Sequence, residues 1–173
     1  MRLTFSLADE GDAPEIAALR IASAAHLTER FGRGHWSGEA SERGVLAGMH
    51  KAEVWLAHRG KVLVGTYRLS TTKPWAIDPA YFAKSRHPLY LTDMAVSPAM
   101  QRRGAGRQCL AHAVRIARKW PADAIRLDAY DAEAGAGEFY EKCGFREVGR
   151  VSYRGTPLIY FELILLPAPA RAP

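Results

Sequence analysis

Cysteine and long apolar stretches are both scarce in this sequence of 173 residues. The two cysteines, Cys109 and Cys143, stand in helix-like segments without the spacing of a metal site or a redox pair, so we expect free buried thiols and no metal. No apolar run approaches the roughly 20 residues that cross a bilayer. The N-terminus, MRLTFSLADEGD, becomes acidic too early for a signal peptide. We therefore expect a cytoplasmic protein with no membrane partner.

Internal repeats are also lacking, and low complexity is confined to PAPARAP at residues 167–173. This pattern predicts one domain over residues 1–166, as a monomer or a homodimer, followed by a disordered Pro/Ala tail. A hydrophobic share of 48% with 24% charged residues is typical of a globular domain with a sizeable core.

Acidic residues are outnumbered by basic ones. The chain has 24 Lys and Arg against 18 Asp and Glu, which gives a formal net charge of +6. Such a balance favours an anionic partner, whether nucleic acid, nucleotide cofactor or acidic substrate. Because the arginines are spread along the chain and do not form one block, we do not expect nucleic acid to be that partner.

Hydrophobic periodicity and turn residues predict an α/β or α+β fold with a mixed sheet. The predicted strands are residues 2–7, 53–58, 61–70, 89–96, 124–130, 145–152 and 157–165. The first predicted helix follows an N-cap at Asp12, the second runs from about Glu39 to Met49, and the third begins near Arg102 or Arg103. The fourth carries Ala136, Phe139, Tyr140 and Cys143 and ends at Gly144. A long aromatic segment, residues 71–88, separates the third and fourth strands, and its composition argues against disorder.

The segment MAVSPAMQRRGAGRQCL, residues 94–110, concentrates positive charge and glycine where a strand ends and a helix begins. Unpaired amides at a helix start bind phosphate, Gly104 and Gly106 allow close approach to the main chain, and Arg102, Arg103 and Arg107 add charge. A dinucleotide-binding turn fits poorly because Cys109 takes the third glycine position. A P-loop is excluded because this segment has no Gly-Lys-Ser/Thr sequence. This segment alone allows two interpretations: a site for a nucleotide-like phosphate, or a solvated arginine-rich helix start that binds no ligand.

VSPAMQRRGAG resembles the Q/R-x-x-G-x-G/A signature of the GNAT superfamily of acetyl-CoA-dependent N-acetyltransferases. FYEKCGF, residues 139–145, resembles the tyrosine-bearing helix and following strand of the same family. The resemblance spans residues 52–165 and implies a mostly antiparallel sheet of about six to seven strands flanked by about four helices. It also implies an N-acetyltransferase that uses acetyl-CoA as co-substrate.

The resemblance implies roles for individual residues. The backbone of Met94, Ala95 and Val96 would hydrogen-bond the pantetheine arm of the cofactor, and a backbone N–H near Met94 would support the carbonyl oxygen. The pyrophosphate would lie on a turn made of Gln101, Arg102, Arg103, Gly104, Ala105, Gly106 and Arg107. Strands 89–96 and 124–130 would splay apart to form the cleft. Tyr140 would protonate the departing thiolate, the alternative being a buried structural tyrosine. Glu133 occupies a cofactor-contacting position where many members carry Asn.

The general base is not evident from the sequence. Members with a carboxylate base often carry Glu on the strand before the cofactor turn, where this chain has Tyr90 and Thr92, which we take as acceptor contacts. A water relay is the favoured base and Asp93 is the second, provided that a bulge turns its side chain into the cleft. His87 is the third.

The acceptor is predicted to be the primary amine of a small molecule. Trp75, Tyr81 and Phe82 of the long loop, with Trp36, either form one wall of an acceptor pocket or pack the loop onto the core. A protein N-terminal or lysine acetyltransferase is the alternative enzyme. A non-catalytic acyl-CoA-binding module and a nucleic-acid-binding domain are the alternatives of other classes.

Overall fold

A seven-stranded mixed sheet with four helices forms the protein in the computed structural model, which describes residues 2–165. The strands are β1 Thr4–Leu7, β2 Glu53–Arg59, β3 Val62–Ser70, β4 Pro88–Val96, β5 Ala124–Tyr130, β6 Arg146–Tyr153 and β7 Thr156–Ile164. The helices are α1 Ala13–Phe31, α2 Glu42–Met49, α3 Ala105–Lys119 and α4 Gly137–Lys142. The predicted fold class is confirmed. The predicted Pro/Ala tail lies outside the described residues.

The strand order in the sheet is β1-β2-β3-β4-β5-β7-β6. Every neighbouring pair is antiparallel except β4 and β5, which are parallel and are connected through α3. Parallel neighbours need such a crossover because the chain must return to the same end of the sheet. None of the helices within residues 2–165 is long and apolar enough to cross a membrane.

The two parallel strands separate after a short paired stretch. Their register covers only Pro88 with Ala124, Leu89 with Ile125 and Tyr90 with Arg126. Beyond Tyr90 the edge of β4 that faces β5 has no strand partner among the described residues. A V-shaped cleft therefore opens between the second halves of β4 and β5, as the resemblance implied.

A bulge interrupts β4 inside this cleft. Thr66 of β3 is paired with Ala95 and Arg68 with Thr92, so β4 carries one more residue than β3 between these two pairs. Asp93 has a φ of 51°, in the left-handed region that few residues other than glycine adopt. The bulge changes the direction of the Asp93 side chain relative to ordinary strand alternation.

The two faces of the sheet are covered by different elements. Helix α3 packs on one face in a cluster that includes Ala57 and Leu127, and α1 and α2 pack on the other in a cluster that includes Leu56. Residues 71–88 cover the same face as α1 and α2, because Tyr90, which contacts them, alternates with Leu89 and Leu91 of the α3 cluster. The long loop is therefore a packed part of the domain.

Two predicted helix starts differ from the structure. Helix α3 begins at Ala105, not at Arg102 or Arg103, because Arg102 and Gly104 have φ values of 57° and 83°, which a right-handed helix cannot contain. Helix α2 begins at Glu42, where the Ser41 hydroxyl accepts a hydrogen bond from the N–H of Gly44.

Candidate functional site

The end of β4 and the turn after it are held by side chains from two elements. The carbonyl oxygen of Val96 accepts hydrogen bonds from Ser23 Oγ on α1 at 3.0 Å and from Gln101 Nε2 at 3.2 Å. Gln101 therefore anchors the turn to the cleft. Met94, Ala95 and Val96 lie half-buried along the free edge of β4, where an extended ligand can be hydrogen-bonded like an additional strand.

The two glycines of the turn have different roles. Gly104 has a left-handed backbone, and no atom lies within 4 Å of the position that a Cβ would take there. Its main chain is therefore open to a ligand at the start of α3. Gly106 is a packing residue, because a Cβ there would lie 3.0 Å from Cζ of Phe139 and 3.6 Å from Cε of Met94.

The charged residues around the turn are exposed. Arg102, Arg103 and Arg107 face solvent, and Arg107 Nη2 donates to the carbonyl oxygen of Lys142 at the end of α4, at 3.5 Å. Ala105 is buried below them. Glu133 is exposed in the loop between β5 and α4. The start of α3 thus presents unpaired N–H groups, the positive end of a helix dipole and exposed guanidinium groups on the same side of the molecule.

Tyr140 reaches the cleft from α4. Its side chain packs against Phe139, Phe145 and Phe161, and its hydroxyl donates to Sδ of Met94 at 3.9 Å. Burial raises the pKa of the Tyr140 phenol above its usual value, and the negative charge of Asp128 raises it further. The phenol therefore keeps its proton at neutral pH beside the free edge of β4.

Asp128 is the carboxylate on the other side of the cleft, and it was missed in the sequence. It lies on β5 between Leu127 and Ala129, which belong to the α3 cluster, so its side chain faces away from α3. Burial raises the pKa of Asp128, and the negative charge of Asp93 also raises it. The available signal was a carboxylate in the middle of the apolar strand AIRLDAY.

Asp93 is engaged by two arginines that the sequence did not indicate. Its Oδ2 lies 2.5 Å from Nη1 of Arg68 on β3 and 3.6 Å from Nη1 of Arg20 on α1. Both guanidinium groups therefore converge on one carboxylate oxygen at the bulge. The contact with Arg20 of α1 places the Asp93 carboxylate on the α1 face, the face toward which the Asp128 side chain also points.

The connection between α1 and α2 packs against the end of β5, at the margin of the cleft. The Tyr130 hydroxyl donates to the carbonyl oxygen of His35 at 3.1 Å, and Trp36 meets the Tyr130 ring edge-on. Thr156, at the start of β7, shares a hydrogen bond with Nδ1 of His35 at 3.1 Å. Burial and the negative charges of Asp128 and Asp93 raise the pKa of Tyr130. The segment around His35 thus covers the end of β5, two residues beyond Asp128.

The other residues predicted to contact the acceptor are distributed along the loop and β4. Phe82 and Tyr90 are buried against Tyr160, and Thr92 is half-buried on the same face of β4. Trp75 is 90% exposed in a groove of about 410 Å³ that Tyr153 and Tyr160 also line.

His87 lies at the paired end of β4, where its backbone N–H contacts the Asp123 carboxylate. The structure thus brings Tyr140 into contact with Met94, and it places Asp93 and Asp128 on the two strands that border the cleft. It leaves Trp75 and His87 at the periphery.

Known proteins resemble the chain in sequence and in fold. The uncharacterized N-acetyltransferase YvbK of Bacillus subtilis (strain 168) is 28% identical over 98 residues, which are 57% of this chain and 56% of that relative. The chain therefore matches little more than half the length of that curated relative.

Solved structures share the fold over nearly the whole chain. An acetyltransferase of Bacillus subtilis in complex with CoA has a TM-score of 0.67 at 21% identity, over 95% of this chain and 100% of that one. The ribosomal-protein-S18-alanine N-acetyltransferase of Escherichia coli has a TM-score of 0.69 at 20% identity, over 99% of both chains.

The acetyltransferase (GNAT) family profile matches residues 21–145. That match begins inside α1, crosses the turn at Gly104 and ends just after the helix of Tyr140, so it includes both motifs on which the resemblance was based. The chain therefore belongs to the GNAT family of acetyltransferases.

Proposed function

We propose that this protein transfers the acetyl group of acetyl-CoA directly to the primary amine of a small molecule. The observation that supports this most is the arrangement of the cleft between β4 and β5. A protonated phenol lies on its α4 side and a half-buried carboxylate lies on its opposite face, with a free strand edge between them. Direct transfer between a thioester and an amine needs an acid and a base placed in this way.

The residues of the cleft fit acetyl-CoA, which supplies the thioester from which the acetyl group is taken. The free edge of β4 from Met94 to Val96 would hold the pantetheine arm. The N–H groups of residues 102–107 would hold the pyrophosphate, supported by Arg102 and Arg103. The open space beside Gly104 leaves room for such an anion.

We assign the general base to Asp128. Its carboxylate makes no salt bridge among the described residues, whereas Oδ2 of Asp93 is held by two guanidinium groups. A carboxyl with a raised pKa is a stronger proton acceptor than an ordinary aspartate and suits the removal of a proton from an ammonium group. Asp93, which was predicted as a base from the sequence, then holds the two arginines in place.

Tyr140 Oη would hold the proton that the leaving sulfur receives. Its raised pKa keeps the phenol protonated until the thiolate forms beside it. A backbone N–H near Met94, on the same edge of β4, would donate a hydrogen bond to the carbonyl oxygen of the acyl group as negative charge develops there.

A small acceptor agrees with the cover over the cleft. His35 and Trp36 contact Tyr130, and His35 also contacts Thr156, so this face is closed by one segment bonded to two strands. A protein N-terminus would need an open groove in this place. Trp75 and Phe82 remain predicted acceptor contacts at the far end of the loop. Their replacement by alanine would test this through the acceptor KM.

A thiol-release assay tests the proposal. Purified protein is mixed with acetyl-CoA and a panel of small primary amines, amino acids and peptides, and binding of acetyl-CoA is followed in parallel by thermal shift. We expect a higher melting temperature with acetyl-CoA and turnover of small amines. Turnover of peptides alone would replace the small-molecule acceptor with a protein one. A thermal shift without any turnover would indicate an acyl-CoA-binding module.

A further inference from the structure

Unpaired buried polar atoms are concentrated at one place in the described chain. Within residues 2–165, four buried side-chain nitrogen and oxygen atoms lack a hydrogen-bond partner: Nε and Nη2 of Arg20, Nε of Arg68 and Oγ1 of Thr66. Thr66 and Arg68 lie two residues apart on the same face of β3, and Arg20 and Arg68 contact the same oxygen of Asp93. Buried donors without partners are costly, so such a concentration indicates that a partner is missing.

The charges at this place do not balance. Two guanidinium groups with side chains 15% and 21% exposed face one carboxylate that is 40% exposed. Burial lowers the pKa of Arg20, and the charge of Arg68 lowers it too, although Asp93 acts in the opposite direction. Among the described residues Asp93 is the one carboxylate in salt-bridge contact with either guanidinium group, and a second carboxylate in contact with them would complete the pairing.

The cluster lies beside the proposed reacting centre. Asp93 immediately precedes Met94, the residue that the Tyr140 hydroxyl contacts, and its charge acts on Asp128. Arg20 and Arg68 belong to the α1 face, opposite the α3 and α4 face from which Tyr140 approaches. An acceptor that presents its amine to Asp128 from this face would lie on the same side of the sheet as both guanidinium groups.

We propose that Arg20 and Arg68 bind a carboxylate of the acceptor, so that the substrate is an amine that also carries a carboxylate. This inference rests on the proposed function and names the class of its acceptor. A carboxylate supplies acceptors for the guanidinium N–H groups that have no partner, and its planar pair of oxygens fits the forked donors of a guanidinium. Arg20 and Arg68 are specificity residues in this proposal, and Asp93 keeps them apart and oriented.

Matched sets of amines test the inference. Each set has the same carbon frame and ends in a carboxylate, a carboxamide or hydrogen; phenylalanine, phenylalaninamide and phenethylamine form one set, and ω-amino acids with their amides and n-alkylamines form others. We expect kcat/KM to be about tenfold to a hundredfold higher for the carboxylate of the preferred set, the size expected for a charge-assisted hydrogen bond.

Two variants and a control locate the effect. Arg20→Met and Arg68→Met should each raise KM for the carboxylate by about tenfold or more, with kcat and the turnover of the neutral amines nearly unchanged. Arg68→Met leaves Arg20 to pair with Asp93, so we expect it to fold, and thermal melting checks this. Arg118→Met removes one exposed arginine from α3 and should leave the preference intact.

The outcomes separate this inference from the proposed function. Equal turnover of acids, amides and alkylamines, or a carboxylate preference that survives both variants, would overturn the inference and leave the acetyltransferase assignment standing. If no amine is turned over, calorimetry with the N-acetylated acid and its amide decides the matter. Tighter binding of the acid that is lost in Arg68→Met supports the carboxylate site, and equal binding of the two compounds rejects it.

Discussion

Replacing Asp128 by asparagine is the sharpest test of the proposed proton path. Asparagine has nearly the shape of aspartate, so the packing of β5 around position 128 is kept. Its amide cannot accept a proton in the role of a general base. General-base catalysis contributes about 10²- to 10⁴-fold, and we expect kcat for Asp128→Asn to fall within this range. That loss corresponds to roughly 3 to 5 kcal/mol of transition-state stabilisation.

The pH dependence of activity tests the assignment of Asp128 as the base independently. Burial and the charge of Asp93 raise the pKa of Asp128, so its carboxylate is lost at a higher pH than that of an ordinary aspartate. Activity of the wild-type enzyme should fall as the pH decreases through this raised pKa, so the acidic limb of the kcat/KM profile should lie at a higher pH than an ordinary aspartate would give. Asp128→Asn should lack this limb.

Asp93→Asn is the matched control. It removes the second carboxylate of the cleft and leaves Arg20 and Arg68 without their common partner. We expect its main effect on the acceptor KM and on melting temperature, with a smaller loss in kcat than Asp128→Asn. Steady-state thiol release at several pH values measures both variants. A large kcat loss in Asp93→Asn with near-normal kcat in Asp128→Asn would refute our choice of base.

Three further predictions concern other parts of the domain. Tyr140→Phe keeps the packing of the ring and should lose about 10²-fold or more in kcat with little change in acetyl-CoA affinity; an unchanged kcat would make Tyr140 structural. Gly104→Val forces a branched side chain into a left-handed backbone, costs about 1–2 kcal/mol and should weaken acetyl-CoA binding about tenfold in a thermal-shift titration. Gly60→Val, equally left-handed and open but remote in the β2–β3 turn, should lower the melting temperature and spare affinity. His112 is buried on α3, and burial lowers its pKa from the usual value of about 6.5 to about 4. The unfolded chain therefore binds a proton at this residue before the folded protein does, and lowering the pH from 7 to 4.5 should reduce the free energy of unfolding by on the order of 2 kcal/mol. Urea unfolding should show a smaller loss over the same pH range in His112→Gln.

Local patterns determined the elements and the order in which they follow one another. The strand LYLTDMAV and the helix with Leu110 and Ala113 on one face were readable because burial on one side imposes a period of two or 3.6 on apolar residues. The turn after β4 could also be singled out, and its role in cofactor binding predicted, since glycine and arginine at a strand–helix junction have a local physical meaning. The residue at which α3 begins could not be predicted in this way, because the left-handed backbone of Arg102 is set by the turn as a whole.

Tertiary structure alone decided which side chains share the cleft. Asp128 lies 35 positions after Asp93 in the chain, and only the parallel pairing of β4 with β5 brings the two carboxylates near each other. Arg20 and Arg68 come from α1 and β3 and meet at Asp93 because a bulge turns that residue toward the α1 face. The sequence by itself determined the family, the fold class and the position of the glycine- and arginine-rich turn, all of which depend on contiguous segments. The choice of base and the two arginines depends on long-range packing, which periodicity and spacing along a single chain do not encode.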